Sequence, residues 1–209
     1  MNKNKCIIFA AGDYYGGFER DEGDFIIAAD AGYHHLASRG ISPDLLLGDF
    51  DTIGSIPENL ERVTFPAEKD YTDTELAILE GIDRGFTSFT VCGALGGKRL
   101  EHTLGNLSLA AAYAKKGYDI TLTDGDYTVK ALHNSKLCFD KNEKGYVSVF
   151  SISGKAQGVS ISGLKYTLSN ATLDSSNPTL CISNEFTGNS AEISVSDGTV
   201  LIMWQKSKN

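Results

Sequence analysis

From the start to about Thr123, short apolar runs alternate with amphipathic stretches. Cys6 to Ala10 and Phe25 to Ala29 read as buried strands. Ala31 to Arg39 reads as a helix closed by Gly40. Leu45 to Leu47 is the next apolar run, and Thr74 to Arg84 carries Leu76, Ala77, Leu79 and Ile82 at helical spacing before Gly85. Phe89 to Cys92 follows as a strand, His102 to Lys116 as a helix and Ile120 to Thr123 as a strand. Such alternation predicts a mostly parallel sheet covered on both faces.

Beyond Asp126 the period shortens. Tyr146 to Phe150, Val159 to Ile161, Leu180 to Ile182, Ala191 to Val195 and Val200 to Trp204 read as short strands between Gly, Ser, Asn and Asp turns. The expectation is a small antiparallel β-sandwich or barrel of roughly 80 residues. The expected fold is therefore an N-terminal, mostly parallel α/β sandwich domain (residues 1–128) followed by a C-terminal antiparallel β-sandwich domain (residues 129–209), joined in the polar segment from Gly125 to Asn134.

Composition narrows the partners. The 209 residues are 41% hydrophobic, an ordinary share for a packed protein, and carry a formal net charge of -8. That charge argues against nucleic acid or an anionic membrane as partner, since both need a basic footprint. The apolar stretch from Cys6 to Ala11 is far short of the ~20 residues that span a bilayer, and no signal peptide is visible. Cys6, Cys92, Cys138 and Cys181 are scattered among apolar neighbours and read as reduced, buried thiols. The expected location is the cytoplasm.

Candidate chemistry concentrates between Pro43 and Glu75. Gly48-Asp49-Phe50-Asp51-Thr52 leaves the third strand at its carboxyl edge, where ligands sit in open α/β sheets. In extended backbone Asp49 and Asp51 point the same way, so both carboxylates can face one ion. Lys69-Asp70-Tyr71-Thr72-Asp73-Thr74-Glu75 fits a capping box from Thr72 to Glu75 at a helix start, which also favours a phosphate or a metal-phosphate complex. Oxygen-only ligands suit Mg²⁺, which keeps several waters and bridges to substrate phosphates. Gly93 to His102 is a second glycine-rich strand-to-helix turn, with Lys98 and Arg99 available to neutralise phosphate; it matches neither a Walker loop nor the dinucleotide fingerprint. Ala10-Ala-Gly12-Asp13 occupies the same position after the first strand with a weaker signal. His34 and His35, adjacent on a helix, read as a surface residue and a packing residue. Trp204 reads as core filling from its pattern alone, and Ser183-Asn184-Glu185 as either a turn or a polar ligand loop.

Ala29-Asp30-Ala-Gly32, Pro43-Asp44, Gly48 to Thr52, Lys69 to Asp73, Gly93 to Asn106, and Gly163-Leu-Lys-Tyr166 through Ser183-Asn184-Glu185 to Trp204 together resemble the thiamine pyrophosphokinase (thiamine diphosphokinase) family over nearly the whole chain. One departure stands in the second glycine turn: the family's bacterial form reads Gly-Gly-Arg, one residue, Asp-His, where this chain has an extra Lys98 and Glu101 for Asp. The resemblance implies an α/β domain and a β-sandwich domain, a homodimer with active sites at its interface, and transfer of the pyrophosphoryl group of ATP to the hydroxyl of thiamine. By resemblance Asp49, Asp51 and Asp73, with Thr72, hold Mg²⁺. Asp30, Asp44, Lys69, Asp70, Arg99 and His102 line the ATP pocket. Ser183, Asn184 and Trp204 hold thiamine, a cationic heterocycle over an indole face being favourable. Two other readings stay open at this point, an Asp-x-Asp phosphatase nucleophile at Asp49 and a ligand-sensing module without turnover.

Overall fold

The computed structural model describes residues 4–18, 20–50, 53–54, 59–66, 70–152 and 154–205. The chain forms two compact units, one of residues 1–106 with 118–125, the other of residues 107–117 with 126–209. In the first, strands β1 (Cys6–Phe9) and β2 (Phe25–Ala29) precede a 3-10 turn at Asp30–Gly32 and helix α1 (Tyr33–Ala37). Then come β3 (Leu45–Gly48), β4 (Arg62–Thr64), helix α2 (Asp73–Asp83), β5 (Ser88–Cys92), the start of helix α3 (Leu100–Lys115), whose residues from 107 on belong to the second unit, and β6 (Asp119–Thr123).

Among the described residues of this unit the strand order is β6-β5-β1-β2-β3-β4, and every pairing is parallel. From β1 the chain steps outward through β2, β3 and β4, then returns to the other side of β1 with β5. The order therefore reverses between β1 and β5. A crevice at the carboxyl ends of such a pair is where open α/β sheets bind ligands. Continuous apolar strands make this sheet: Ile8, Ile26, Ile27, Leu45, Leu46 and Leu47 are all fully buried, as expected where both faces are covered. Full burial of each such side chain contributes roughly 1.5–3 kcal/mol.

Two close approaches hold the helical layer down. A Cβ on Gly32 would collide with the Phe9 carbonyl, so the 3-10 turn lies against β1 only because position 32 has no side chain. A Cβ on Gly81 would strike the Phe89 ring and the Cys6 sulfur, so α2 packs onto β1 and β5 for the same reason. Cys6 is fully buried there, and desolvation pushes its thiol up to about 12.

The second unit contains β7 (Tyr127–His133), β8 (Lys136–Phe139), β9 (Tyr146–Ser151), β10 (Ala156–Ser162), β11 (Leu168–Leu173), β12 (Asn184–Glu185), β13 (Ala191–Ser194) and β14 (Thr199–Gln205). Its strands run antiparallel in the orders β12-β9-β14-β7 and β11-β10-β13-β8. Side chains from both sheets, including Val147, Val149, Val159, Ile161, Ile193, Val200 and Ile202, form one core. The architecture is thus a parallel α/β unit and an antiparallel β-sandwich.

Several elements differ from the sequence expectation. Leu180 to Ile182 is a run of turns, with Leu180 N–H bonded to Asn177 O and Ile182 N–H to Thr179 O, and the short strand there is β12. The segment from Gly125 to Asn134, expected as a join, is largely β7, which lies fully paired along β14. Strands β4, β8 and β11 were not anticipated. Among the described residues no disulfide joins the four cysteines; Cys6, Cys92 and Cys181 are buried as expected, but Cys138 is exposed. It lies on β8, which is paired on one side only, by β13.

Candidate active site

A cavity of about 590 Å³ opens at the β1/β5 reversal of the first unit, within the size range of small-molecule sites. Its lining comes from the carboxyl ends of three strands and the amino ends of two helices: Ala10 to Asp13 after β1, Ala29 and Asp30 at the end of β2, Gly93, Ala94 and Gly96 to Arg99 after β5, Tyr71 to Thr74 at the start of α2, and His102 and Asn106 on α3.

Each wall has a local cause. Thr72 caps α2, its hydroxyl oxygen accepting the Glu75 N–H at 3.2 Å. That leaves Asp73 as the first helical residue, half-buried and facing the cavity at the positive end of the helix. Asp30 takes φ 45 and Phe50 takes φ 64, both left-handed, at the carboxyl ends of β2 and β3. Non-glycine residues in that region store strain, which collects at functional sites.

The two glycine loops are fastened to each other. Gly12 N–H donates to Gly93 O at 2.9 Å, and a Cβ on Gly12 would meet that same carbonyl. Gly97 N–H donates to Asp13 Oδ2 at 2.9 Å. From α3, buried Asn106 donates through Nδ2 to Ala94 O at 2.9 Å, and Thr103 through its hydroxyl to Gly96 O at 3.3 Å. From α1, His35 Nε2 lies 2.7 Å from Gly12 O and so acts as donor, while Arg39 covers the Tyr14 ring and bonds the carbonyls of His35, Tyr14 and Gly16. Burial pushes the Tyr14 phenol up, so it stays neutral and donates to Gly17 O. His35, one of the two histidines read from sequence as a surface residue and a packing residue, is thus the anchor of the first loop.

Of the expected site residues, the cavity brings together Asp30, Thr72, Asp73, Arg99 and His102. Lys98 lines it as well, beside Arg99. Arg99 Nε is 2.7 Å from Glu101 Oε1, and this bond holds the Glu101 carboxyl below its usual range. Asp49 follows β3 at the same carboxyl edge, half-buried, without lining the cavity; Asp70 is exposed, one residue before the lining begins. Asp51 and Lys69 lie outside the described residues.

Asp44 needs a correction. It precedes β3, so it stands at the amino edge of the sheet, a strand's length from the cavity; its carboxylate accepts the Ile26 N–H at 2.7 Å and pairs with Arg20 at 2.8 Å. Among the described residues no group of three or more His, Cys, Asp or Glu side chains is gathered for a metal. The donors that do face the cavity, Asp30, Asp73 and the Thr72 hydroxyl, are all oxygen and fit a hard cation that keeps most of its waters.

The three residues expected to hold thiamine belong to the second unit. Trp204 continues the alternation of Val200 and Ile202 onto the sandwich face, half-buried, edge-on to Phe139 with ring centroids 5.2 Å apart. Asn184 is buried, and its carboxamide accepts the Tyr166 N–H at 2.9 Å and donates to Tyr166 O at 2.7 Å. Ser183 is left-handed, φ 58, with its N–H on the Ser148 hydroxyl.

A parallel α/β unit with a carboxylate- and glycine-lined cavity at its strand reversal, followed by an antiparallel sandwich, defines a two-domain small-molecule enzyme class. Within it, the profile for "Thiamin pyrophosphokinase, catalytic domain" matches residues 20–122, and that for "Thiamin pyrophosphokinase, vitamin B1 binding domain" matches residues 134–200. The thiamine pyrophosphokinase of Bacillus subtilis (strain 168) is 32% identical over 192 residues, covering 88% of this chain and 87% of that protein. The chain belongs to the thiamine pyrophosphokinase family. Solved structures agree: a thiamine pyrophosphokinase from Bacillus subtilis superposes with TM-score 0.83 at 26% identity over 99% of this chain and 100% of that one. A family protein from Enterococcus faecalis gives 0.84 at 27% over the same shares. The enzyme from Candida albicans, 14% identical with TM-score 0.74 over 97% of this chain and 90% of that one, shares the fold.

Proposed function

We propose that this enzyme transfers the pyrophosphoryl group of ATP to the hydroxyl of thiamine, giving thiamine diphosphate and AMP. The observation that carries the reading is the cavity at the β1/β5 reversal, lined by Asp30, Asp73, Lys98 and Arg99 together with two fastened glycine loops, in a chain 32% identical to a thiamine pyrophosphokinase. The hydroxyl oxygen of thiamine bonds to the β-phosphorus as the bond from that phosphorus to the oxygen shared with the α-phosphate breaks. AMP leaves, and the hydroxyl proton is released. Such transfers rest on positioning and charge neutralisation more than on covalent help.

In this assignment residues 1–128 take ATP and residues 129–209 take thiamine. Asp49, Asp51 and Asp73, with Thr72, hold Mg²⁺, which when bound neutralises charge on the transferring phosphates. Asp30, Lys69, Asp70, Arg99 and His102 surround the phosphates. Ser183 and Trp204 meet thiamine, and Asn184 acts through Tyr166. The working form is a homodimer.

The deciding assay supplies Mg-ATP and thiamine and identifies products. AMP with thiamine diphosphate is expected; ADP with thiamine monophosphate, or no turnover, overturns the reading. Asp73→Asn is expected to keep the fold and lose at least about 10² in kcat, the scale of removing a principal electrostatic element. Near-normal turnover by that variant at saturating Mg²⁺ removes Asp73 from the metal site.

A further inference from the structure

We infer that Asp13 is a positioning residue of the cavity: its carboxylate holds the Gly97 amide and so fixes the direction in which Lys98 and Arg99 enter the site. The inference rests on the ATP reading above.

The loop after β5 is pinned through its carbonyls at three points, Gly93 O by Gly12 N–H, Ala94 O by Asn106 and Gly96 O by Thr103. Gly97 is the exception. It is held through its N–H, and the acceptor is Asp13 Oδ2 at 2.9 Å, 84 positions away in sequence. Gly96 and Gly97 both have positive φ, 70 and 83. Two successive glycines confer almost no conformational preference of their own, so an outside tether is needed to keep one geometry. The Asp13 bond is the last such tether before Lys98, Arg99 and the first turn of α3 at Leu100.

Asp13 is itself held in register. Gly12 lies so close to Gly93 that a Cβ would strike its carbonyl, and the Gly12 carbonyl is taken by His35 Nε2 at 2.7 Å. The tether therefore runs from α1 through Gly12 and Asp13 to Gly97. An aspartate lining a cavity meant for polyphosphate repels the ligand it faces. As a tether it needs only an acceptor oxygen, which asparagine also has. That separates a tether from two other roles, a metal ligand, which needs the negative charge, and an internal anion that competes with phosphate for the Gly97 amide.

The test compares Asp13→Ala and Asp13→Asn by steady-state kinetics and by hydrogen exchange at the Gly97 amide in protein without substrates. For Asp13→Ala the KM for ATP is expected to rise about tenfold or more, the scale of one hydrogen bond to a charged group. Its KM for thiamine should stay within about twofold, and Gly97 exchange should quicken about tenfold, in proportion to the lost protection. Asp13→Asn is expected to keep Gly97 protected with a KM for ATP equal to or below that of the parent. Three results overturn the inference: unchanged ATP kinetics and Gly97 exchange in Asp13→Ala, a lowered KM for ATP in Asp13→Ala, or a loss in Asp13→Asn as large as in Asp13→Ala. Gly97 exchange is read without turnover, so absence of the proposed reaction in the parent enzyme sinks the ATP reading and leaves the tether measurable.

Discussion

Trp204 packs in the sandwich and is also the side chain proposed to hold thiamine. It follows Val200 and Ile202 onto the sandwich face and meets Phe139 edge-on, yet remains half-exposed. Stacking of a cationic ring on its open part contributes about 0.5–2 kcal/mol, so Trp204→Ala should raise the KM for thiamine several-fold and leave that for ATP alone. If the variant instead loses the ~3–5 kcal/mol typical of a deleted core tryptophan, with thiamine affinity unchanged, the indole is purely structural. Cys6 gives a pH prediction of definite sign. Burial raises its thiol from 9.0 to about 12 in the folded state, so the unfolded chain ionises first and stability falls as pH rises from 9.0 toward 12. The urea midpoint measured over that range should slope downward, and Cys6→Ala should flatten the slope; an identical slope in the variant sinks the assignment. At this scale the sequence made Asp30, Thr72, Asp73, Arg99 and His102 legible as residues that line one cavity, because they stand in short local motifs. Asp13 gave only a weak signal and the role of His35 none, since their partners Gly97 and Gly12 are distant in sequence and meet only when β1, β5 and α1 pack. Asp44 was misplaced for a related reason: Pro-Asp beside a glycine-aspartate motif looks continuous in sequence, but β3 runs between them and carries Asp44 to the opposite edge.

Helix α2 links local capping to the site. Thr72 is its amino cap, and Asp73 faces the cavity because the helix starts there. Thr72→Ala should destabilise by about 1 kcal/mol and raise the KM for ATP as Asp73 loosens, whereas Thr72→Ser should restore both. A Thr72→Ala enzyme with normal stability and kinetics would separate the cap from the site. The helices and buried strands of the first unit were readable since their apolar periods are long and uninterrupted. Strands of the second unit were harder. In β7 the buried Thr128, Val129, Ala131 and Leu132 are interspersed with Lys130 and flanked by Tyr127 and His133, so composition read as linker. In β11, Ser169 and Asn170 are exposed and Leu173 alone is buried. Strand β4 runs exposed, half-buried, exposed. Leu180 to Ile182 misled in the opposite sense: Leu180 and Ile182 are apolar but exposed, and the turn bonds to Asn177 and Thr179 decide the backbone. Pairing across a sheet, which supplies most of a strand's definition, leaves little trace in an edge or half-polar strand.

For the whole molecule the balance is between charge and apolar surface. Each chain carries -8, so a homodimer carries twice that, -16, and two such chains repel over about 10 Å at ~0.1 M salt. Association in the proposed homodimer must be driven by something other than net charge. Large apolar side chains left exposed supply a candidate drive: Leu100 at 69% and Leu104 at 59% stand one turn apart on α3, and Tyr146 and Tyr166 are exposed in the sandwich unit. Neighbouring exposed apolar side chains such as Leu100 and Leu104 are the kind that mark interaction surfaces. A dimer held by apolar burial against like-charge repulsion tightens with added salt, whereas one held by ion pairs loosens. Light scattering after size exclusion should therefore give twice the 22.5 kDa of one chain, with a dissociation constant that falls as salt rises from low to physiological strength. Leu104→Glu and Leu100→Glu, which place charge on that helix face, test whether α3 is buried in the dimer: a shift to the mass of one chain supports it, and an unchanged dimer places the contact elsewhere. A fully active enzyme that keeps the mass of a single chain at assay concentration would end the homodimer assignment.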